Sequence, residues 1–268
     1  MSEEVLYEVK DKIARITINR PTKFNSINPP LMAELSAVFR KADEDPKVSV
    51  IILTSAGDHF GAGYDLKFPW SEEYGRGPMG TRKMLKDCAD FEFGPWDCSK
   101  PVIAMVRGYC LAGSCELAMM CCITYAAKSA TFGEPEIRFS TAPPAMIMPW
   151  LVGLKHAREL LYTGDMIGAE EARQMGMINK VFDEDKLEEE TMKYARRAAA
   201  ISLEGLQTTK AAINRSAEIA GLKSAVAYGV EVGGILDASE TEQYLEFSRV
   251  KAEKGLAAAI RWRESQFE

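Results

Sequence analysis

The sequence is poor in the residues on which metal sites and catalytic triads most often depend. Only two histidines, His59 and His156, occur among 268 residues, and no two of the six cysteines form a CxxC pair. A zinc site or a Ser-His-Asp triad is therefore not expected. We expect the cysteines to be reduced and mostly buried, as in a protein of a reducing, cytoplasmic compartment.

Long apolar runs and an excess of positive charge are also missing. No uncharged apolar stretch of the sequence reaches the roughly 18 residues that a membrane span needs, and the acidic start MSEE lacks the apolar core of a signal peptide. The net charge of −6 argues against a broad basic face for nucleic acid or for an anionic membrane. We therefore expect a globular protein that binds neither.

Strands and helices alternate in the first part of the chain. Residues 13–19 alternate apolar and polar side chains, as a half-buried strand does, whereas 48–54 and 101–106 are continuous apolar runs typical of buried parallel strands. Asn28, followed by two prolines, predicts a helix start. The apolar face of that helix repeats Leu31, Met32, Leu35, Val38 and Phe39. This order predicts a parallel sheet covered by helices, and hence an α/β fold.

The character of the chain changes at about residue 169. Amphipathic stretches without a clear strand cover 169–175, 187–200, 206–220 and 226–250. We predict an α/β core over residues 1–200 and a helical C-terminal region over residues 201–268.

Two turns containing glycine are expected after the two buried strands. They read HFGAGYDL (59–66) and GYCLAGSCE (108–116). Turns of small residues at the ends of parallel strands can aim backbone N–H groups into a crevice, and two such groups would bind a developing oxyanion. A glycine after a strand can equally be a plain turn, so both interpretations stay open.

Two glutamates stand close to these turns in the sequence. Glu116 lies in the first turn of an otherwise apolar helix, where the helix N-terminus favours its charge and burial opposes it. Glu136 follows in a predicted loop. Two carboxylates near one oxyanion site could divide the general-base and general-acid roles. The alternative is a capping residue and a solvated side chain.

Beyond these patterns, the sequence resembles the crotonase (enoyl-CoA hydratase/isomerase) superfamily over nearly its whole length. Five segments carry the resemblance, in the family's order and with its separations. They are NRPTKFNSIN (19–28), HFGAGYDL (59–66), KPVIAMVRGYCLAGSCE (100–116), TFGEPEI (131–137) and TGDMIGAEEARQMGMI (163–178).

The resemblance implies a spiral of ββα turns with a helical C-terminal trimerisation region, in a homotrimer or a hexamer. It places the two oxyanion donors at the backbone N–H groups of Tyr64 and Gly113 and the catalytic glutamates at Glu116 and Glu136. One glutamate would activate water for attack at Cβ of an acyl-CoA thioester, and the other would protonate Cα. No cofactor is implied beyond the coenzyme A of the substrate.

The resemblance also implies a set of substrate contacts. They are Lys23, Phe24, Ala62, Asp65, Leu66, Trp70, Leu111 and Pro144. Phe68, Trp70 and Tyr74 stand where the acyl-pocket wall of the family begins, although ordinary surface packing explains them equally well. Lys23, Arg20 and the basic end of the C-terminal helix are candidates for the coenzyme A phosphates.

Several positions depart from the family pattern. Ala112 and Ser114 replace glycines on either side of Gly113, and Cys122 replaces an aspartate, which predicts the loss of a buried polar contact. Pro144 replaces a glycine whose N–H helps to hold the catalytic water, and proline has no N–H. These departures favour a bulky, branched or cyclic acyl group over a short straight chain.

Three functions are compatible with these residues. The first is hydration of a 2-enoyl-CoA, or the reverse dehydration, in fatty or aromatic acid degradation. The second is isomerisation or C–C hydrolysis that uses Glu136 alone. The third is a non-catalytic member that binds acyl-CoA or RNA. The presence of both Glu116 and Glu136 favours the first, and the acidic net charge disfavours RNA.

Overall fold

A computed structural model describes residues 3–267. The strands are β1 (Val5–Lys10), β2 (Ile13–Ile18), β3 (Val50–Ser55), β4 (Val102–Val106), β5 (Tyr109–Leu111), β6 (Ile123–Ala127), β7 (Thr131–Gly133), β8 (Met166–Gly168) and β9 (Lys180–Phe182). The helices are α1 (Pro29–Glu44), α2 (Trp70–Tyr74), α3 (Gly77–Glu92), α4 (Gly94–Asp97), α5 (Gly113–Met119), α6 (Met148–Thr163), α7 (Ala169–Gln174), α8 (Leu187–Ala199), α9 (Leu203–Ile219), α10 (Leu222–Asp237), α11 (Glu242–Lys254) and α12 (Leu256–Glu264). Short 3₁₀ helices cover Pro21–Lys23 and Pro135–Phe139.

The strands form two sheets. The larger sheet has the order β1-β2-β3-β4-β6-β9, and all its neighbours are parallel except β1 and β2. The smaller sheet has the order β5-β7-β8. Both continuous apolar runs form strands of the larger sheet, β3 and β4, and every residue in these strands is buried. The predicted parallel sheet is confirmed.

The chain passes from one sheet to the other and then into a helix, and it repeats this path. In one turn, β4 in the larger sheet leads to β5 in the smaller sheet and then to α5. In the next turn, β6 leads to β7 and, through the Pro135–Phe139 3₁₀ helix, to α6. After β3, Gly61 makes a parallel bridge to Cys110 in β5, so the chain also passes from the larger sheet to the smaller one in this turn. This path is the expected spiral of ββα turns.

Helix α1 begins where the sequence predicted it. The side chain of Asn28 accepts a hydrogen bond from the N–H of Leu31 at 3.0 Å and so caps the helix. The five residues of the predicted apolar face are buried. Helix α1 packs against the core through this apolar face and so covers one side of the sheet.

Two sequence predictions about the second half were wrong. Residues 180–182 form β9, which pairs in parallel with β6, although no strand was expected after residue 169. A strand of three residues is too short to give an alternating pattern.

The stretch 226–250 is interrupted between α10 and α11, where Thr241 caps α11. The described elements after residue 201 are all helices, and the domain boundary at residue 200 stays a prediction.

A helix that crosses a membrane must be both long and apolar. Within residues 3–267, no single helix is long and apolar enough to cross a bilayer. By these two criteria alone, α9 and α10 would pass as a pair bent by 55°.

Candidate active site

The candidate catalytic residues lie just after three neighbouring positions of the smaller sheet. Tyr64 follows the bridge at Gly61, Gly113 follows β5, and Glu136 follows β7. The bridge, β5 and β7 run parallel to one another, so their carboxyl ends meet at one edge. The sequence had placed the two turns directly after the strands of the larger sheet. In the structure, each of these segments first adds a position to the smaller sheet, Gly61 in 59–66 and β5 in 108–116, and only then turns.

The two glycine turns touch each other closely. A Cβ atom added to Gly63 would overlap Ala112 of the second turn, and one added to Gly61 would overlap the side chain of Ser114. The N–H of Gly63 donates a hydrogen bond to Ser114 Oγ at 3.2 Å. Ser114 therefore joins the two turns, a contact that glycine in this position could not make.

The two predicted oxyanion donors, Tyr64 and Gly113, are in contact with each other. Gly113 is the first residue of α5, so its N–H has no acceptor within the helix. Tyr64 lies between Gly63 and Asp65, whose amides are already bonded to Ser114 Oγ and to the carbonyl oxygen of Ile27. A Cβ atom on Gly113 would overlap the Tyr64 ring, so the two residues are in contact. This geometry supports the predicted oxyanion hole.

The first predicted catalytic glutamate, Glu116, is completely buried in α5. Its Oε1 accepts a hydrogen bond from the N–H of Ala145 at 2.7 Å, and its Oε2 has no hydrogen-bond partner among the described residues. Burial raises the pKa of Glu116 well above its usual range, and the neighbouring carboxylates raise it further. The Ala145 N–H opposes this shift because it stabilises the charged form.

The bond from Ala145 also shows how the loop accommodates Pro144. Pro144 is buried and has no N–H to offer, but the next residue along the chain donates directly to Glu116. The loop after Glu136 therefore still supplies a backbone N–H to this glutamate, from the residue after the proline.

The second predicted glutamate, Glu136, lies in the Pro135–Phe139 3₁₀ helix and not in a loop. Its side chain is buried, and neither carboxylate oxygen has a hydrogen-bond partner among residues 3–267. Burial raises the pKa of Glu136 to about 8. The negative charge of Asp237 contributes to this rise, and the positive charge of Arg263 opposes it.

Two further buried glutamates, Glu92 and Glu134, escaped the sequence analysis. Glu92 is the last residue of α3, and its Oε1 accepts a hydrogen bond from the Tyr64 hydroxyl at 2.5 Å. Both carboxylate oxygens of Glu134 lack a partner among the described residues. The helical spacing of Leu85, Cys88 and Glu92 was the available signal, because it puts a charged residue on an apolar face.

An aromatic cluster adjoins the first oxyanion turn. The Trp70 ring packs edge-on against Tyr64 and Phe68, with centroids 5.6 and 5.3 Å apart, and stacks on Tyr74 at 6.0 Å. Its Nε1 donates to the carbonyl oxygen of Asp65. The cluster therefore extends the surface next to Tyr64, where the sequence analysis expected an acyl wall.

The other predicted substrate contacts differ in exposure. Lys23, Phe24 and Leu66 are exposed, Ala62, Asp65, Trp70 and Leu111 are half-buried, and Pro144 is buried. The structure argues against Arg20 and Arg263 as ligands of the coenzyme A phosphates, whereas Arg261 at the basic end of α12 is exposed. Arg20 is buried and paired with Glu4 at 3.1 Å, and Arg263 at the end of α12 is buried over the Phe139 ring at 3.5 Å. Lys23 keeps its exposed ammonium group.

His59 and the cysteines have structural surroundings. His59 Nδ1 accepts a hydrogen bond from the Tyr109 N–H at 3.1 Å, and its ring stacks between Tyr109 and Phe24. These contacts are those of a packing residue. All six cysteines are free and five are buried. Cys122 is exposed, so the expected loss of a buried polar contact there was wrong.

Comparisons with known proteins agree with this geometry. A family model described as "Enoyl-CoA hydratase/isomerase" matches residues 8–242. The chain is 36% identical to crotonyl-CoA hydratase of Syntrophomonas wolfei over 220 residues, which are 79% of this chain and 82% of that one. It is 34% identical to the mitochondrial enoyl-CoA hydratase of Pongo abelii over 228 residues, covering 81% and 75% of the two chains.

A solved structure gives the same answer for the fold. The crystal structure of an enoyl-CoA hydratase/isomerase from Xanthobacter autotrophicus Py2 superposes with a TM-score of 0.96 at 36% sequence identity, over 100% of both chains. The family match, the relatives and the superposition together show that this chain belongs to the enoyl-CoA hydratase/isomerase family of the crotonase superfamily and is an enoyl-CoA hydratase-like enzyme.

Proposed function

We propose that this enzyme adds water across the 2,3 double bond of a bulky, branched or cyclic 2-enoyl-CoA thioester, or catalyses the reverse dehydration. The observation that carries the proposal is the convergence of Glu116 and Glu136, both buried, on the edge where Tyr64 and Gly113 contact each other. Hydration needs one base, one acid and one oxyanion site, and this edge supplies all three.

The surroundings of the two glutamates assign their roles. Glu116 is assigned as the base, because the Ala145 N–H bonded to its Oε1 favours the ionised form and opposes the burial that raises its pKa. Glu136 is the acid, because a pKa of about 8 keeps it protonated at neutral pH. The water oxygen bonds to Cβ while its proton passes to Glu116, and Cα takes the proton of Glu136. The amides of Tyr64 and Gly113 hold the negative charge that develops on the thioester oxygen.

Two features support an acyl group larger than a short straight chain. The aromatic cluster of Phe68, Trp70 and Tyr74 adjoins Tyr64 and offers apolar surface to an alicyclic or branched group. Pro144 also restricts the conformation of the loop after Glu136 around the substrate, because the proline ring fixes the backbone angle φ.

A panel of straight, branched, alicyclic and aromatic 2-enoyl-CoA thioesters tests this proposal. With the best substrate, a hydratase incorporates solvent ¹⁸O at Cβ and solvent deuterium at Cα. An isomerase that uses Glu136 alone would exchange deuterium without ¹⁸O and would tolerate Glu116→Gln. That pattern contradicts hydration. A preference for the four-carbon straight chain contradicts the bulky acyl group.

The assembly and location belong to the same proposal. We propose a cytoplasmic homotrimer or hexamer that needs no metal or redox cofactor and binds no nucleic acid or membrane. Large apolar side chains on α9 and α10 support self-association, since they stay exposed in the single chain: Ile213, Ile219, Tyr228 and Ile235. Light scattering should give three or six times the mass of 29.7 kDa, and a monomer mass would contradict this. Activity should survive EDTA.

A further inference from the structure

Glu92 touches both residues of the candidate oxyanion hole. Its Oε1 accepts the hydrogen bond from the Tyr64 hydroxyl at 2.5 Å. The same oxygen would lie 2.9 Å from a Cβ atom on Gly113. The side chain of one oxyanion residue is therefore held against the other residue, and the carboxyl group of Glu92 is what holds it there.

The carboxyl groups of Glu92 and Glu116 are also neighbours in this buried space, since each affects the pKa of the other. Both side chains are completely buried. Two adjacent carboxylates cannot both carry a charge in such surroundings, so the pair shares a proton. The proposed hydration needs Glu116 ionised, which leaves the proton on Glu92. A protonated carboxyl can donate one hydrogen bond and still accept another.

We propose that Glu92 is a positioning residue of the active site, which in the reactive state donates a hydrogen bond from its protonated carboxyl to the Glu116 carboxylate and accepts the Tyr64 hydroxyl hydrogen. This inference rests on the proposed hydration. Glu92 thereby keeps Glu116 ionised and fixes the first oxyanion turn, without reacting itself.

Titratable groups surround this pair on two sides. On the oxyanion turn and α3, the pair faces Tyr64 and Cys88, whose pKa values burial raises, so both are neutral. After β7 it faces Glu136 and Glu134, whose pKa values burial also raises. A negative charge on Glu136 would raise the pKa values of both members of the pair.

Two substitutions of Glu92 separate a neutral donor from other roles. Glu92→Gln is always neutral, and its amide can both donate to Glu116 and accept from Tyr64. We expect it to keep kcat within about threefold, because one neutral donor replaces another. Glu92→Leu has a similar size and no hydrogen bond. We expect kcat to fall about 10- to 100-fold with a smaller change in KM, because a buried carboxylate loses its partner.

The pH profile adds a readout that packing alone would not move. Without its donor, Glu116 should hold its proton more tightly, so the acid limb of kcat/KM should move to higher pH in Glu92→Leu. In Glu92→Gln this limb should move to lower pH, because the amide still donates to Glu116 and carries no charge that would raise its pKa. Wild-type kcat and an unchanged profile in Glu92→Leu would overturn the proposal. An equal loss in Glu92→Gln would overturn it too, since Glu92 would then act as an ionised group.

Tyr64→Phe and Asp90→Asn complete the set. Tyr64→Phe removes one oxygen atom and should lower kcat several-fold even if Glu92→Leu does not fold; wild-type kcat would contradict the positioning role. Asp90 is an exposed carboxylate on the same helix, paired with Lys86, and its substitution should change nothing.

A measurement without turnover separates this inference from the proposed function. In protein labelled with ¹³C at the glutamate carboxyls, the NMR signal that Glu116→Gln removes identifies Glu116. Its titration should change in Glu92→Gln, because its proton-sharing partner is gone. An identical titration would overturn the pairing whether or not any thioester is hydrated.

Discussion

Glutamates occur in two opposite settings in this molecule, at the edge of the smaller sheet and on the C-terminal helices. At the sheet edge, Glu116 and Glu136 are buried, and burial raises the pKa of both. On α9 and α11, Glu218 and Glu246 bond to basic side chains, which lower their pKa values. In the first setting burial favours the protonated carboxyl, whereas in the second the basic partners favour the ionised one.

This difference shows why the glutamates at the sheet edge are candidates for chemistry. A glutamate on an exposed helix changes the free energy of folding only slightly, since solvent screens its ion pair. A buried carboxyl without a salt bridge is costly to fold, and such groups concentrate at functional sites. Substitutions of the same kind in both settings test this comparison.

The largest expected effect comes from the two catalytic candidates. Glu116→Gln and Glu136→Gln should each lower kcat about 10²- to 10⁴-fold while folding stays intact, because glutamine keeps the shape but cannot exchange a proton. Glu246→Gln makes the same change on α11 and should leave kcat unaltered. Steady-state kinetics with circular dichroism checks all three. Near-normal turnover in Glu116→Gln would remove the base from the proposed mechanism.

The next effect concerns the point where the two oxyanion residues meet. Gly113→Ala adds a Cβ atom that overlaps the Tyr64 ring and lies 2.9 Å from Glu92 Oε1, so the donor amides must move apart. We expect kcat to fall about 100-fold, as for the loss of one oxyanion donor. Gly168→Ala is the matched control, since its Cβ would meet nothing within 4 Å. Equal kinetics in both variants would argue against an oxyanion role for Gly113.

The sequence predicted those parts of the site that local pattern and family resemblance can reach. Buried strands such as 48–54 and the cap at Asn28 were predicted correctly because each depends on neighbouring residues. Glu116 was noticed because a charge interrupts an apolar helix. Glu92 interrupts the face of α3 in the same way, but no family motif directed attention to it.

Other features depend on contacts between distant segments, which one sequence does not reveal. Arg20 reads as an exposed basic residue in a turn, yet Glu4 and Asp65 fold over it and leave it buried. The amide of Ala145 bonds to Glu116 across 29 positions of the chain. The spacing of 20 residues between the two glutamates says nothing of this bond.

The pH dependence sharpens the comparison of the two settings. If Glu136 is the acid, kcat/KM should fall about tenfold per pH unit above about 8, where its carboxyl ionises. Between the unfolded pKa near 4.5 and about 8, the folded protein holds a proton that the unfolded chain has lost. The stability that Glu136 contributes is therefore present at low pH and is lost as the pH rises. The free energy of unfolding falls by at most about 1.4 kcal/mol per pH unit.

Two variants check the sign of that dependence. Glu136→Gln should flatten the fall in the free energy of unfolding between pH 5 and 8, measured by denaturant titration at several pH values. Glu246 should behave in the opposite way, because its pKa is lowered: its contribution is present above the unfolded pKa and is lost on acidification. An unchanged slope in Glu136→Gln would mean that this carboxyl is ionised in the folded protein.

The smallest expected effect concerns the backbone beside the oxyanion hole. Ala112 has φ 56° and ψ −140°, a conformation that only glycine adopts without strain. Ala112→Gly should therefore stabilise the fold by about 1 kcal/mol, the strain relieved exceeding the entropy that glycine costs. At a fixed protein concentration this corresponds to a rise in Tm of about 2–4 °C. Ser140→Gly is the control: Ser140 has φ 57° and ψ 38°, a left-handed conformation with less strain, and its substitution should raise Tm by less. A lower Tm in Ala112→Gly than in Ser140→Gly would show that the Ala112 methyl contributes more by packing than its backbone costs.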